Sequence, residues 1–103
     1  MADQFKKGIL EMCILYCISE KDMYGYDIMQ KIHQYFPELD ESTIYSILRR
    51  LHKNGIIDSY IGEFSNGPKR KYYTISENGK IELKENIMKW KHIVEIMSDI
   101  GIL

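Results

Sequence analysis

The sequence has few of the features that mark a specialised class of protein. It contains only two cysteines and opens with no secretion signal, which indicates a reducing, cytoplasmic environment. The apolar run from Ile9 to Ile18 is interrupted by Glu11 and is too short to span a bilayer, so we expect no membrane partner. The net charge is only −1, so composition alone does not indicate a nucleic-acid partner. A nucleic-acid partner is indicated only by the distribution of charges along the chain.

Residue patterns typical of enzymes and metal sites are also missing. The chain has no Gly-rich phosphate loop, no paired carboxylates and no nucleophile–base set. Cys13 and Cys17 lie four residues apart on one predicted helix, where a disulfide does not form easily, and no further metal ligand is near them in sequence. We therefore predict no catalytic residue, no metal and no cofactor, and we expect both cysteines to be buried as small apolar side chains.

The chain does contain a regular series of amphipathic segments. Its 103 residues are 45% hydrophobic, which fits one domain with a modest core. Three segments have apolar residues at helical spacing: 4–19, 22–36 and 41–54. Asp22 and Asp40 are suitable N-caps for the second and third helices, Pro37 stops the second, and Gly55 is suited to end the third.

A β-hairpin and a long final helix follow. Residues 56–64 and 69–75 have strand patterns, and the turn residues Ser65 to Pro68 separate them. On the returning strand Tyr73 shares a face with Ile75, and we expect Tyr73 to pack inward. The last helix is predicted to start after Ser76. Apolar residues spaced by four and three form a coiled-coil heptad seam along it: Leu83, Ile87, Trp90, Val94 and Met97.

The order helix, helix, helix, hairpin, helix predicts a mainly α fold with a β-hairpin, an α+β winged helix-turn-helix. We expect residues 1–78 to form this DNA-binding domain and residues 79–103 to form a dimerisation helix packed with helix one. The third helix has a buried stripe, which places a polar face with cations and hydroxyls on its opposite side. Between Ile44 and Tyr72 there are six cations and two acids, an excess of +4 within a slightly acidic chain. The plainer interpretation of these charges is a solvated helix face and a solubilising turn. We favour DNA binding because both basic elements fall where a winged helix contacts DNA.

Four motifs resemble the PadR family of transcriptional regulators. They are YGYDI (24–28), STIYSILRRL (42–51), NGII (54–57) and GPKRKYYTISENG (67–79). The single C-terminal helix resembles the compact subfamily that includes multidrug-responsive repressors. The resemblance implies a cytoplasmic homodimer that pairs through helices one and four. It also implies repression of transcription until a small aromatic or lipophilic compound binds. A two-fold dimer reads two-fold DNA, so we expect the binding site to be pseudo-palindromic.

The residues expected to contact DNA come from this resemblance and from the helical projection. Together they are Ser42, Thr43, Tyr45, Ser46, Arg49, Arg50, Lys53, Lys69, Arg70, Lys71 and Tyr72. We call the hairpin the wing. Arg49 can pair with guanine or reach a phosphate, whereas Lys53 and the cations of the wing suit phosphates. Tyr45 lies at the flank of the projection, so packing beneath the helix and contact with DNA both stay open. Tyr72 is a candidate phosphate contact through its hydroxyl.

Trp90, the only tryptophan, has two interpretations. Its heptad position indicates interface packing, and the resemblance implies that it could also stack on flat ligands in a pore between subunits. The effector site implied by the resemblance comprises Lys6, Ile9, Leu10, Trp90, Ile93, Val94 and Met97. The predicted dimer interface comprises Ile9, Cys13, Leu83, Ile87, Trp90, Val94 and Met97. Two other functions stay open: a winged helix for protein–protein contact, and a dimer that sequesters small molecules.

Overall fold

The computed structural model describes residues 4–62 and 67–103. These residues form α1 (Gln4–Glu20), β1 (Met23–Tyr24), α2 (Gly25–Tyr35), α3 (Glu41–Lys53), β2 (Ile57–Gly62), β3 (Arg70–Ile75) and α4 (Glu77–Ile100). The predicted α+β winged helix-turn-helix class is confirmed. The predicted turn residues Ser65 and Asn66 lie outside the described residues, as do the last two residues of the predicted first strand.

We call α1, α2, α3 and the three-stranded sheet the head. Its three helices enclose one apolar core. The predicted stripe on α3 is buried as expected: Ile44, Ile47, Leu48 and Leu51. It meets Leu10 and Ile14 of α1, Ile28 of α2 and Ile57 at the start of β2. Removing these aliphatic side chains from water is the main stabilising contribution of the head. Packing of this stripe against the core therefore fixes the orientation of α3 in the head, and the opposite side of α3 faces solvent.

The start of the second helix differs from the prediction. Met23 and Tyr24 form a short strand that pairs with Tyr73 and Tyr72 of β3, and α2 begins only at Gly25. The sheet order is therefore β1-β3-β2, with both pairings antiparallel. Asp22 accepts a hydrogen bond from the Tyr60 hydroxyl at 2.6 Å, and Tyr24 occupies the N-cap position of α2. Strand pairing and burial of Met23 outweigh the local capping preference of Asp22.

The long helix α4 is anchored at its first turn. The Ser76 hydroxyl accepts a hydrogen bond from the Gly79 N–H at 3.0 Å, as expected of an N-cap. Gly101 ends the helix in the left-handed conformation, with φ of 106°. Only the first half of α4 packs on the head, and the second half is largely exposed. In the described ranges 4–62 and 67–103, no helix is both long and apolar enough to cross a membrane.

Candidate nucleic-acid interface

One side of α3 presents polar and cationic side chains to solvent. The stripe on the other side faces the core, so Ser42, Ser46, Arg49 and Lys53 are all exposed. Thr43 is half-buried at the border of this side. Hydroxyls and cations along one exposed helix side can donate to phosphate oxygens and to base edges. This arrangement agrees with the helical projection, and DNA contact by these residues stays a prediction.

Tyr45 packs beneath α3 and also reaches solvent. Its side chain lies against the first residue of α2, because a Cβ atom placed on Gly25 would be only 3.1 Å from the Tyr45 Cε1 atom. The residue nevertheless keeps 37% of its surface exposed. Both alternatives for Tyr45 are therefore compatible with this position: the ring supports the helix, and part of the side chain is accessible to a ligand.

Arg50 lies on a different side from the other α3 cations. Its guanidinium forms an ion pair with the Glu11 carboxylate of α1, and both side chains are about one-third exposed. Arg50 also borders a small groove between α1 and α3 that contains Lys7, Ser42 and Ser46. The ion pair connects α1 with α3, so a DNA contact by Arg50 would have to compete with Glu11. We therefore assign Arg50 a structural contact first.

The wing cations occupy two environments. Lys69 and Lys71 are exposed, as predicted for backbone contacts. Arg70 is half-buried, and its guanidinium carbon lies 4.5 Å from the centroid of the Tyr24 ring. At this distance a cation–π contact orients the guanidinium. The wing therefore carries one half-buried cation, Arg70, between two exposed lysines.

Tyr72 belongs to a row of tyrosines that runs across one face of the sheet and ends in the first turn of α2. Its ring stacks on Tyr60, with centroids 5.6 Å apart and an interplanar angle of 14°, and lies 5.9 Å from Tyr24. Tyr24 in turn lies 6.1 Å from Tyr26. We call Tyr26, Tyr24, Tyr72 and Tyr60 the tyrosine row. The half-buried Tyr72 therefore stiffens the hairpin, and the predicted phosphate contact through its hydroxyl stays untested.

The tyrosine row is fastened at its far end. The hydrogen bond that Tyr60 donates to Asp22 raises the pKa of the Tyr60 hydroxyl above its usual value, with burial and the charge of Asp22 adding to the effect. The sequence alone does not indicate Tyr24 and Tyr26 as site residues. A two-residue strand is too short to show an alternating pattern, and no local signal indicates that it pairs with β3.

The residues predicted for a dimer interface and an effector site divide into two groups. Leu10 is fully buried and Leu83 is 7% exposed, so the structure places both in the core of the protomer. A ligand between subunits would not reach Leu10, and Leu83 offers a partner little surface. The others are accessible at least in part: Ile9, Cys13, Ile87, Trp90, Ile93, Val94 and Met97. Lys6 pairs with Glu38 at 3.2 Å, beside the start of α1.

Trp90 joins α4 to α1. Its ring meets Phe5 edge to face, with centroids 5.5 Å apart, and both side chains keep exposed surface. Trp90 therefore lies at the border between the head and the exposed half of α4. A partner subunit or a flat ligand could contact it there.

An apolar groove of about 530 Å³ runs between α1 and α2. It is lined by Met12, Cys13, Tyr16, Cys17, Lys31, Ile32, Tyr35, Phe36 and Ile87. Burial raises the pKa of both thiols, and the two cysteines form no disulfide. Within the described ranges, no three His, Cys, Asp or Glu side chains lie close enough together to hold a metal ion. No sequence pattern indicated the groove, because its residues come from three separate elements.

Comparisons with known proteins extend over most of the chain. The sequence model of a family described as the transcriptional regulator PadR-like family matches residues 14–85. An uncharacterized protein of Lysinibacillus sphaericus is 40% identical over 94 residues, which cover 88% of this chain and 86% of that protein. The crystal structure of a PadR-like transcriptional regulator from Bacillus cereus is 36% identical, with a TM-score of 0.86, and the match covers 95% of this chain and 96% of the other. A Streptococcus transcriptional regulator is 30% identical with a TM-score of 0.90, covering 96% and 98% of the two chains.

Proposed function

Because the chain belongs to the PadR-like family of transcriptional regulators, we propose that it is a DNA-binding regulator that acts as a homodimer in the cytoplasm. The observation that carries this proposal is the placement of two separate cationic elements. Arg49 and Lys53 project from the exposed side of α3, and Lys69 and Lys71 project from the wing. In a winged helix the third helix enters the major groove, and basic side chains neutralise phosphates of the backbone.

In this proposal the two elements have different tasks. Ser42, Ser46 and Arg49 supply base contacts and therefore sequence preference. Lys53 and the wing lysines supply phosphate contacts, which set affinity and its dependence on salt. Arg50 is left out of the contact set because Glu11 pairs with it.

The homodimer is supported by the exposed half of α4. Val94 keeps 44% of its surface exposed on one protomer, and Ile93, Ile96 and Ile100 add to the same apolar surface. An apolar helix that extends from a small head is typical of an interface between subunits. A two-fold dimer would read a site with two-fold symmetry, with one recognition helix in each of two successive major grooves.

We further propose that the regulator represses transcription and that a small aromatic or lipophilic compound releases it. Trp90 supports this idea, because it is a rigid aromatic side chain next to Phe5 at the edge of the proposed interface. A compound that binds one dimer arrangement better than the other would change the angle between the two heads. Quenching of Trp90 fluorescence by planar dyes, together with loss of DNA binding, is the expected result. Quenching without any effect on DNA would favour sequestration.

DNA binding is tested by charge reversal on α3. A gel-shift series with the DNA upstream of the gene compares wild type with Arg49→Glu and Lys53→Glu at several salt concentrations. Lys89→Glu is the matched control, since it makes the same charge change at an exposed position of α4 outside the heptad seam. We expect strong loss of binding for the α3 variants and near wild-type binding for the control. Equal affinity of all four proteins would refute the proposed interface and favour a protein-binding winged helix.

The dimer is tested by shortening the chain. Removal of residues 92–103 leaves Leu83, Ile87 and Trp90 in place, so the head keeps its own contacts with α4. Sedimentation equilibrium should show a monomer for the shortened protein and a dimer for the complete chain. A shortened protein that still sediments as a dimer would contradict the assignment of α4 as the interface.

A further inference from the structure

A small cleft lies between α3, the proposed recognition helix, and the wing. It has a volume of about 310 Å³ and lies where the start of α2 meets α3 and β3. It is lined by Tyr24, Gly25, Tyr26, Tyr45, Arg70, Lys71 and Tyr73. We call it the helix–wing cleft. Its lining combines the wing cations Arg70 and Lys71 with Tyr45 of α3, so a ligand that contacts both α3 and the wing would lie beside it.

The aromatic walls of the cleft hold its cations in position. Arg70 lies over the Tyr24 ring at 4.5 Å, and Lys71 Nζ lies 5.5 Å from the centroid of the Tyr73 ring. Tyr26 continues the tyrosine row and is 55% exposed. Tyr45 closes the opposite side, where its ring contacts Gly25. Tyrosine and cationic side chains thus line the same cleft.

The chemistry of this lining suits an anion. Tyrosine hydroxyls and the side chains of Arg and Lys all donate hydrogen bonds. Among residues 4–62 and 67–103, no carboxylate lines the cleft, and Asp27 in the first turn of α2 faces a different groove with Cys17 and Glu20. Tyr24, the N-cap residue of α2, makes no side-chain cap hydrogen bond, so the N–H groups of this helix end keep their preference for negative charge.

We propose that the helix–wing cleft binds one phosphate group of the DNA backbone, with Tyr26 and Tyr45 as hydroxyl donors and Lys71 as the counter-charge. This inference rests on the proposed DNA-binding function and adds a positioning contact to it. A phosphate held here is in contact with the wing and the recognition helix at once. It therefore sets the depth and angle at which α3 enters the groove.

The test removes one hydroxyl and leaves all charges in place. Binding of a short fluorescent duplex from the upstream DNA is measured by anisotropy for wild type, Tyr26→Phe and Tyr35→Phe. Tyr35 is the matched control because it is on the same helix, is 72% exposed and lines the α1–α2 groove instead. We expect Tyr26→Phe to weaken binding about two- to tenfold, the range for one hydrogen bond, and Tyr35→Phe to leave it unchanged. The slope of affinity against salt should stay the same, since no cation is lost.

A second measurement locates the phosphate on the DNA. Single phosphates of the duplex are replaced in turn by neutral methylphosphonates, and each duplex is titrated with wild type and Tyr26→Phe. At one position in each half-site the two proteins should bind equally, because the partner of the hydroxyl is already altered there. Inorganic phosphate, compared with KCl at equal ionic strength, tests the other source of this chemistry. Saturable competition by phosphate that Tyr26→Phe abolishes would assign the cleft to free phosphate compounds and overturn the DNA assignment.

The outcomes separate this inference from the proposed function. If wild type binds the duplex and Tyr26→Phe binds as tightly as Tyr35→Phe, the cleft does not hold a phosphate, while the DNA-binding function stands. If wild type does not bind the duplex at any salt concentration, the proposed function fails and this inference fails with it.

Discussion

Two glycines in helices are expected to respond in opposite ways to the same substitution. Gly8 lies in α1 and Gly79 lies in the first turn of α4. A Cβ atom added to Gly8 would have no neighbouring atom within 4 Å, outside its own helix backbone and chain neighbours. A Cβ atom added to Gly79 would lie 2.1 Å from the carbonyl oxygen of Ile56 and 2.8 Å from a side-chain carbon of Ile75. The structure therefore predicts that Gly8→Ala stabilises the protein and that Gly79→Ala destabilises it.

The magnitudes follow from two contributions. Alanine is favoured over glycine inside a helix by about 0.5–1 kcal/mol, and both variants gain this amount. At Gly79 the added methyl group also collides with a backbone atom, which cannot rotate away as a side chain can. Overpacking of this kind costs about 1–3 kcal/mol. The two contributions combine to a net loss of about 0–2.5 kcal/mol, centred near 1 kcal/mol, in the free energy of unfolding for Gly79→Ala, and to a gain of about 0.5–1 kcal/mol for Gly8→Ala.

Thermal unfolding followed by circular dichroism distinguishes the two signs. For a domain of this size 1 kcal/mol corresponds to about 4–8 °C in Tm, so both shifts are measurable. All samples need one protein concentration, because Tm of a dimer depends on it. If Gly79→Ala raised Tm as much as Gly8→Ala does, the first turn of α4 could not lie against the Ile56 carbonyl. The described placement of α4 on the head would then be wrong.

Three further predictions concern the charged and thiol side chains. Replacing Lys69 and Lys71 by Gln should lower the slope of log affinity against log salt by about 1.8 for each protomer, because each phosphate contact contributes about 0.9; an unchanged slope would mean that the wing does not contact the backbone. Arg50→Met should lower the free energy of unfolding by about 1 kcal/mol or less and leave DNA affinity unchanged. A clear loss of affinity would mean that Arg50 contacts DNA. Cys13 and Cys17 have raised pKa values, so fewer thiolates form at neutral pH, and iodoacetamide should label the native protein more slowly than the urea-unfolded chain. Equal rates in both states would contradict the half-buried positions of the two cysteines.

Local patterns predicted much of the fold because they depend on residues that are close in sequence. The period of the α3 stripe, the Ser76 cap and the inward face of Tyr73 all appear in the structure as expected. The PadR motifs also consist of short contiguous segments, and the family they indicated is confirmed. Element ends were less certain, and Asp22 shows why. Its capping preference is worth about 1 kcal/mol, which pairing with a distant strand can easily outweigh.

The candidate site was predictable only in part. The direction of a side chain from its own helix follows from a periodicity of 3.6 residues, and Arg49 and Lys53 are exposed as the projection requires. This periodicity does not predict which residue of another element the side chain contacts. Arg50 is adjacent to Arg49 in sequence, yet its guanidinium pairs with Glu11 of α1, a residue 39 positions away in the chain.

The sequence by itself determined the helices, the hairpin, the family and the two cationic elements, because periodicity, caps and motifs are properties of contiguous residues. The tertiary structure alone decided that Leu10 and Leu83 belong to the protomer core, that four tyrosines form a row and that a cleft lies between helix and wing. These features come from residues that are far apart in the chain and meet only when β1 pairs with β3 and the helices pack around one core. Their positions depend on packing across the whole domain, and short sequence patterns do not encode this packing.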